Sequence, residues 1–203
     1  MRAVIVDMPK HWLAERKNSE AAQWDEMWNG VLHIPPMPNR LHQDITRDVL
    51  TYLHSQWAKP RGCRANQEVN LTTPEDEAHW TLNYRIPDLV LLTPDRFHID
   101  KGEYMVGAPL VVIEIASSGD ETYDKFSFYA ALGVPEVWVF HRDTKVPEVH
   151  TLAAGPVYRA EQPEPGCWLR SLATGVEFRQ TQPGKVWLRI AGNDATAAEL
   201  PDT

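Results

Sequence analysis

The stretch LVVIEIASSGDETYDKF, residues 110–126, decides how this chain is read. Six of its first seven residues are apolar, a run that suits a strand covered on both faces, as in the centre of a mixed or parallel sheet. Glu114 sits inside that run. An ionised carboxylate buried without a partner is costly, so such a group is protonated, paired or given a metal. The residues that follow read as a helix. Asp120 or Ser118 can cap it, Tyr123, Phe126 and Ala130 share a face, and Gly133 suits the left-handed position that ends it.

Working outward, PEVWVF (135–140) is a second strand of apolar character, again central. Upstream, RIPDLVLLTP (85–94) reads as one strand with a proline near its start, and Asp88 raises the same problem as Glu114. NRLHQDITRDVLTYLHSQW (39–57) carries Leu41, Ile45, Val49, Leu53 and Trp57 at a spacing of four, with Leu50 on the same face. That is an amphipathic helix, capped by Asn39 and ended by Pro60 and Gly62. Before it, Asn29-Gly30 between apolar flanks signals a two-residue hairpin. QEVNLT (67–72) reads as a short strand, and DRFHIDKGEYMVGAP (95–109) as a connection of no assigned structure. Beyond Lys145, short strand-like runs between glycine and proline turns suit a β-meander, and the tail 193–203 is expected to be disordered. The expected class is α/β (α+β): a mixed sheet flanked by helices, an N-terminal hairpin and a C-terminal meander, in one domain over 1–192.

Bulk properties agree with a soluble globule: 203 residues, 43% hydrophobic and 24% charged. The net charge of −8 counts against strong non-specific gripping of nucleic acid. The densest basic stretch holds Lys59, Arg61 and Arg64, the composition of a solvated loop. Two distant cysteines, Cys63 and Cys167, make neither a disulfide framework nor a zinc knuckle. No run approaches the ~18 apolar residues of a membrane span, so a cytoplasmic setting is expected.

Asp88 and Glu114 therefore stand on neighbouring strands as two acids in apolar surroundings. Hard divalent cations such as magnesium take oxygen ligands, commonly one or two carboxylates plus waters and substrate phosphate. The carbonyl of Ile115 can add a third oxygen. Lys125 lies on the first turns of the next helix, which packs back across its own sheet and can return the ammonium toward both acids. Each group also has a plainer reading: acids at wet strand ends, a solvated lysine, and Tyr129 as core.

These residues resemble the Uma-type branch of the PD-(D/E)xK nuclease superfamily, restriction endonuclease-like proteins of bacteria. The resemblance rests on Arg85, Pro87 and Asp88; on Glu114, Ser117, Asp120, Lys125 and Tyr129; and on Gly133, Val134, Glu136 and Trp138. Upstream, Glu26, Gly30 and His42 match the family's hairpin and helix opening, and the likeness runs from about residue 24 to 180. Ala116 stands where the superfamily pattern wants lysine; in this branch the lysine is typically moved to the following helix, where Lys125 fits.

The resemblance implies a Mg2+- or Mn2+-dependent endonuclease acting on DNA, with Asp88, Glu114 and the Ile115 carbonyl as metal ligands and Lys125 positioning the water. Glu26 and Tyr129 are additional candidates, Glu26 as a further ligand. The loop Ser117–Gly119 at a helix start is expected to meet phosphate, and His42 to be a polar helix-terminus residue. Cutting both strands of a duplex would suit a homodimer. The alternative is a catalytically silent protein of the same fold serving as a nucleic-acid-binding or assembly module.

Overall fold

A computed structural model describes residues 3–6, 9–19, 22–163 and 167–201. The elements in order are β1 (Ala3–Ile5), α1 (Lys10–Lys17), β2 (Glu26–Trp28), β3 (Val31–Ile34), α2 (Arg40–Tyr52), α3 (Lys59–Arg61), β4 (Arg64–Gln67), β5 (Asn70–Thr72), β6 (Tyr84–Arg85), β7 (Leu89–Leu92), β8 (Tyr104–Val106), β9 (Val111–Ala116), α4 (Phe126–Leu132), β10 (Glu136–His141), β11 (Pro147–Ala153), β12 (Val157–Ala160), β13 (Leu169–Arg170), β14 (Val176–Gln182), β15 (Lys185–Ile190) and β16 (Asn193–Leu200). They form three sheets: β1-β3-β2-β6-β5-β8, a central β12-β11-β10-β9-β7-β4, and β13-β14-β15-β16. The class is α+β with mixed sheets. No helix among the described residues is long and apolar enough to cross a membrane.

β9 is the axis of the central sheet. It pairs parallel with β10 and antiparallel with β7, and all six of its residues are buried. Alternation of side chains divides them between two cores. Val111, Ile113 and Ile115 join Ile45, Val49 and Trp57 of the long helix and Phe178 and Leu188 of the third sheet. Val112 and Ala116 join Leu71, Phe128 and Tyr129 on the opposite face. By the same parity Glu114 points to that second face, under α4.

The apolar stripe of the long helix explains its burial. Asn39 caps it by accepting the His42 N–H at 3.0 Å, and the rod continues as a π-helical turn, Leu53–Ala58, into α3, where Pro60 is accommodated. Gly62, at φ 63°, ends it. Asn29 (φ 49°) and Gly30 (φ 84°) make the predicted tight turn between β2 and β3.

Four expectations need correction. The tail is not disordered over its first eight residues: Asn193–Leu200 form β16 against β15, with Leu200 buried and Ala198 packed on the core. QEVNLT is not one strand, because Glu68 (φ 50°) turns the chain and sends β4 and β5 into different sheets. RIPDLVLL likewise splits at Pro87, between β6 and β7. Of the C-terminal runs, β11 and β12 extend the central sheet, and only β13–β16 form the meander.

Candidate active site

β7 and β9 bring the two acids together. Their register pairs Leu89 with Ile113, and Asp88, the residue before β7, comes up beside the Glu114–Ile115 end of β9. Asp88 Oδ2 accepts the Ile115 N–H at 2.6 Å, and Oδ1 lies 2.8 Å from His42 Nε2. The cap at Asn39 thus does two things: it starts α2 and it delivers the His42 ring to Asp88. Burial opposes the charge of His42, but its hydrogen bond with Asp88 and the charge of that carboxylate outweigh burial, and the imidazole titrates above its ordinary value. His42 is the polar residue at the helix opening that the sequence suggests, and it also lines the pocket.

Glu114 is 3% exposed. Its carboxylate accepts from the Tyr129 hydroxyl, 2.5 Å from Oε1, and meets Lys125 Nζ at 3.3 Å from Oε1 and 3.4 Å from Oε2. Burial pushes the Glu114 carboxyl up to about 8, with Lys125 opposing and Asp88 and Glu26 adding to the rise. Tyr129 is fully buried, as a core residue should be, yet its hydroxyl is spent on Glu114.

Lys125 stands where a single 3₁₀ turn, Tyr123–Lys125, leads into α4. Its ammonium reaches Glu26 Oε1 at 2.8 Å and the Ile86 carbonyl at 3.4 Å as well as Glu114. Burial works against its charge, but Glu114 and Glu26 more than offset that and raise it above the usual lysine value. Lys125 is therefore a fixed cation.

Glu26 is firmly held: Oε1 takes Lys125 and the Ile86 N–H at 2.8 Å, and Oε2 takes the Trp28 indole N–H at 2.7 Å. It is the counter-ion of Lys125 and lines the same pocket. Arg85, from the same motif as Asp88, is a packing cation. It lies over the Trp28 and Phe128 rings at 4.2 and 4.3 Å and donates to the Met27 and Tyr84 carbonyls. Burial brings it down to about 10.

Glu26, His42, Asp88, Glu114 and Lys125 line one pocket with His33, Arg142 and an apolar wall of Trp24 and residues 35–38. The loop after β9 is held from within by Asp120. Asp120 accepts the Ser117 N–H, the Ser117 hydroxyl at 3.1 Å and the Thr122 N–H at 3.1 Å, closing the loop on itself. Asp120 also makes a loop latch, not a cap of α4, whose N-terminus has no side-chain cap. Lys59, Arg61 and Arg64 do not line the pocket. Two residues the sequence reading passed over do line it: His33 and Glu121, 2.9 Å apart. The signal for His33 was its place in the hairpin, directly opposite Glu26.

A divalent ion can be tested against the donors present. Among the described residues no group of three or more acidic, histidine or cysteine side chains is arranged to hold a metal. The donors here are instead two facing carboxylates with the Ile115 carbonyl next along β9. An all-oxygen set with few protein ligands suits magnesium or manganese, which keep several waters, and not zinc.

A model of the family described as Uma2, putative restriction endonuclease, matches residues 14–181. The fold is similar to a crystal structure of a putative nuclease belonging to DUF820 from Anabaena variabilis. The TM-score is 0.58 at 21% identity, covering 76% of this chain and 85% of that one. No curated protein matches the chain.

Proposed function

The chain belongs to the Uma2 family of putative restriction endonucleases, and we propose that it is a metal-dependent nuclease hydrolysing phosphodiester bonds of DNA. The observation that carries this reading is the meeting of Asp88, Glu114 and Lys125 in one pocket. Each comes from a different element, and no need of folding requires two acids and a lysine in this apolar setting.

Asp88, Glu114 and the Ile115 carbonyl would hold Mg2+ or Mn2+. A bound divalent ion there would supply positive charge to the scissile phosphate as negative charge builds on it. The chain's own residues do the rest. Ile115 N–H and His42 fix the Asp88 carboxylate; Tyr129 and Lys125 fix that of Glu114. The Lys125 ammonium, locked between Glu26 and Glu114, orients a water and faces developing oxyanion charge without rearranging. The pocket carries six carboxylates (Glu26, Glu68, Asp88, Glu114, Asp120 and Glu121) against Lys125 and Arg142. That balance supports a need for added cations before a phosphate can enter.

Supercoiled plasmid incubated with the protein and Mn2+ or Mg2+ is expected to be nicked. Lys125→Ala and Asp88→Ala, folded as shown by circular dichroism, should not nick it. Equal cleavage by both variants would assign the activity elsewhere. No cleavage by the wild type with either ion would favour a binding or assembly role.

A further inference from the structure

Hydrolysis needs a place for the proton of the attacking water, and Lys125 is not that place. It is held between two carboxylates, at 2.8 and 3.3 Å, and stays charged. Asp88 and Glu114 are turned toward their donors and the proposed ion. The pocket holds another proton-handling group. His33 on β3 is buried (8% exposed) and lines the same pocket. It pairs directly with Glu26 across the β2–β3 hairpin, which sets its side chain beside the counter-ion of Lys125.

The ring is held in both plane and rotation. It stacks on Trp28 at a centroid distance of 3.9 Å and an interplanar angle of 12°, and Trp28 is itself tied to Glu26. Nδ1 lies 2.9 Å from Glu121 Oε1, whose side chain is 9% exposed. Among the described residues Nε2 has no partner, and it is not among the buried polar atoms sealed away without one. It is therefore open to solvent, on a residue that lines the pocket. An imidazole with one nitrogen bound to a carboxylate and the other turned to the reacting space is arranged to take up a proton.

Resting on the nuclease reading above, we infer that His33 accepts the proton of the attacking water, with Glu121 holding it in the Nδ1–H tautomer. The water oxygen bonds to phosphorus as its proton passes to the Nε2 lone pair. The bond from phosphorus to the leaving oxygen breaks with its electron pair, and that oxygen is protonated from solvent. The imidazolium, stabilised by Glu121, then returns its proton to bulk water. The charged groups around the ring are Glu121 from the loop after β9, Glu26 from β2, Lys125 beyond Glu26, and Arg85 on the far side of Trp28.

The test uses the full chain with Mn2+ and plasmid. His33→Gln is expected to lower kcat by about 100-fold with KM little changed, and to remove the low-pH limb of the rate profile. Glu121→Gln, which leaves the stacked ring in place, should cost about 10-fold. Nitrogen-15 NMR of the neutral protein provides a readout independent of turnover: His33 should show the Nδ1–H form, lost in Glu121→Gln. Wild-type rates and an unaltered pH profile in His33→Gln would overturn the role while leaving the nuclease reading intact, as would an Nε2–H tautomer. A wild type inactive with either metal, despite the expected tautomer, would defeat the nuclease reading and this step with it.

Discussion

Glu114 and Glu136 are both buried glutamates on adjacent parallel strands, β9 and β10, three register steps apart. In sequence they look alike, a single acid in VVIEIA and in PEVWVF. Their surroundings differ completely. Glu136, 1% exposed, accepts four hydrogen bonds: from the Trp138 indole at 3.0 Å, the Ser171 hydroxyl at 2.6 Å, and the Leu172 and Ala173 N–H groups at 2.8 and 2.9 Å. It staples the turn after β13 to the central sheet. Glu114 meets a lysine and a tyrosine among the described residues, with no backbone donor, and it faces a pocket. A buried charge with its acceptors filled by neutral donors serves the fold; one held by a second ionisable group and open to a cavity is placed for chemistry.

Separating activity from stability at the two positions sharpens this contrast most. Glu114→Gln or Lys125→Ala should lower plasmid nicking by about 1,000-fold, equivalent to about 4 kcal/mol of transition-state stabilisation. Glu114→Gln should leave the melting temperature unchanged or higher, because it removes a desolvated acid. Glu136→Ala should do the reverse: about 3 kcal/mol lost in urea denaturation, from the donors it orphans, with cleavage per folded molecule retained. If Glu136→Ala proved as silent in stability as Glu114→Gln, the distinction would collapse.

A smaller effect is expected at Tyr129. Removing its hydroxyl in Tyr129→Phe takes one hydrogen bond from Glu114 and should cost about 1 kcal/mol of stability, read by denaturation, with a measurable fall in cleavage. The smallest effect is on pH. The folded-state value of Glu114, about 8, lies above its ordinary 4.5. The folded chain therefore keeps a proton that the unfolded chain loses. The stability from this group is complete below its unfolded value and declines as pH rises toward 8. Metal-free wild type should lose melting temperature between pH 5 and 8 relative to Glu114→Gln; parallel curves would refute the burial of that charge.

How much of this could be read in advance follows from where the causes lie. The helix 40–61, the Asn29-Gly30 turn and the double burial of β9 come from local periodicity and turn chemistry, and these are legible. Asp88 and Glu114 stand out because acids are rare in apolar runs, and Lys125 followed from its place on the helix after β9, with the family resemblance agreeing. Glu136 could not be told from Glu114, since its donors lie 35 to 37 residues further on. His33 and Glu121 are 88 residues apart, and neither carries a local motif. β16 was misread because NDATAAEL is mostly small and polar, and it is held through its pairing with β15 more than by its own side chains. Glu68 interrupts a good strand pattern with one positive φ, a choice made by the sheets it separates.

The central claim is that Asp88 and Glu114, with Lys125 beside them, enclose a divalent-ion site. The direct measurement is anomalous diffraction at the manganese edge from crystals soaked in Mn2+. One peak is expected within bonding distance of both carboxylates and the Ile115 carbonyl, absent in Asp88→Ala and unchanged in Glu136→Gln. A map with no peak there, or with manganese bound only at sites elsewhere, would contradict it.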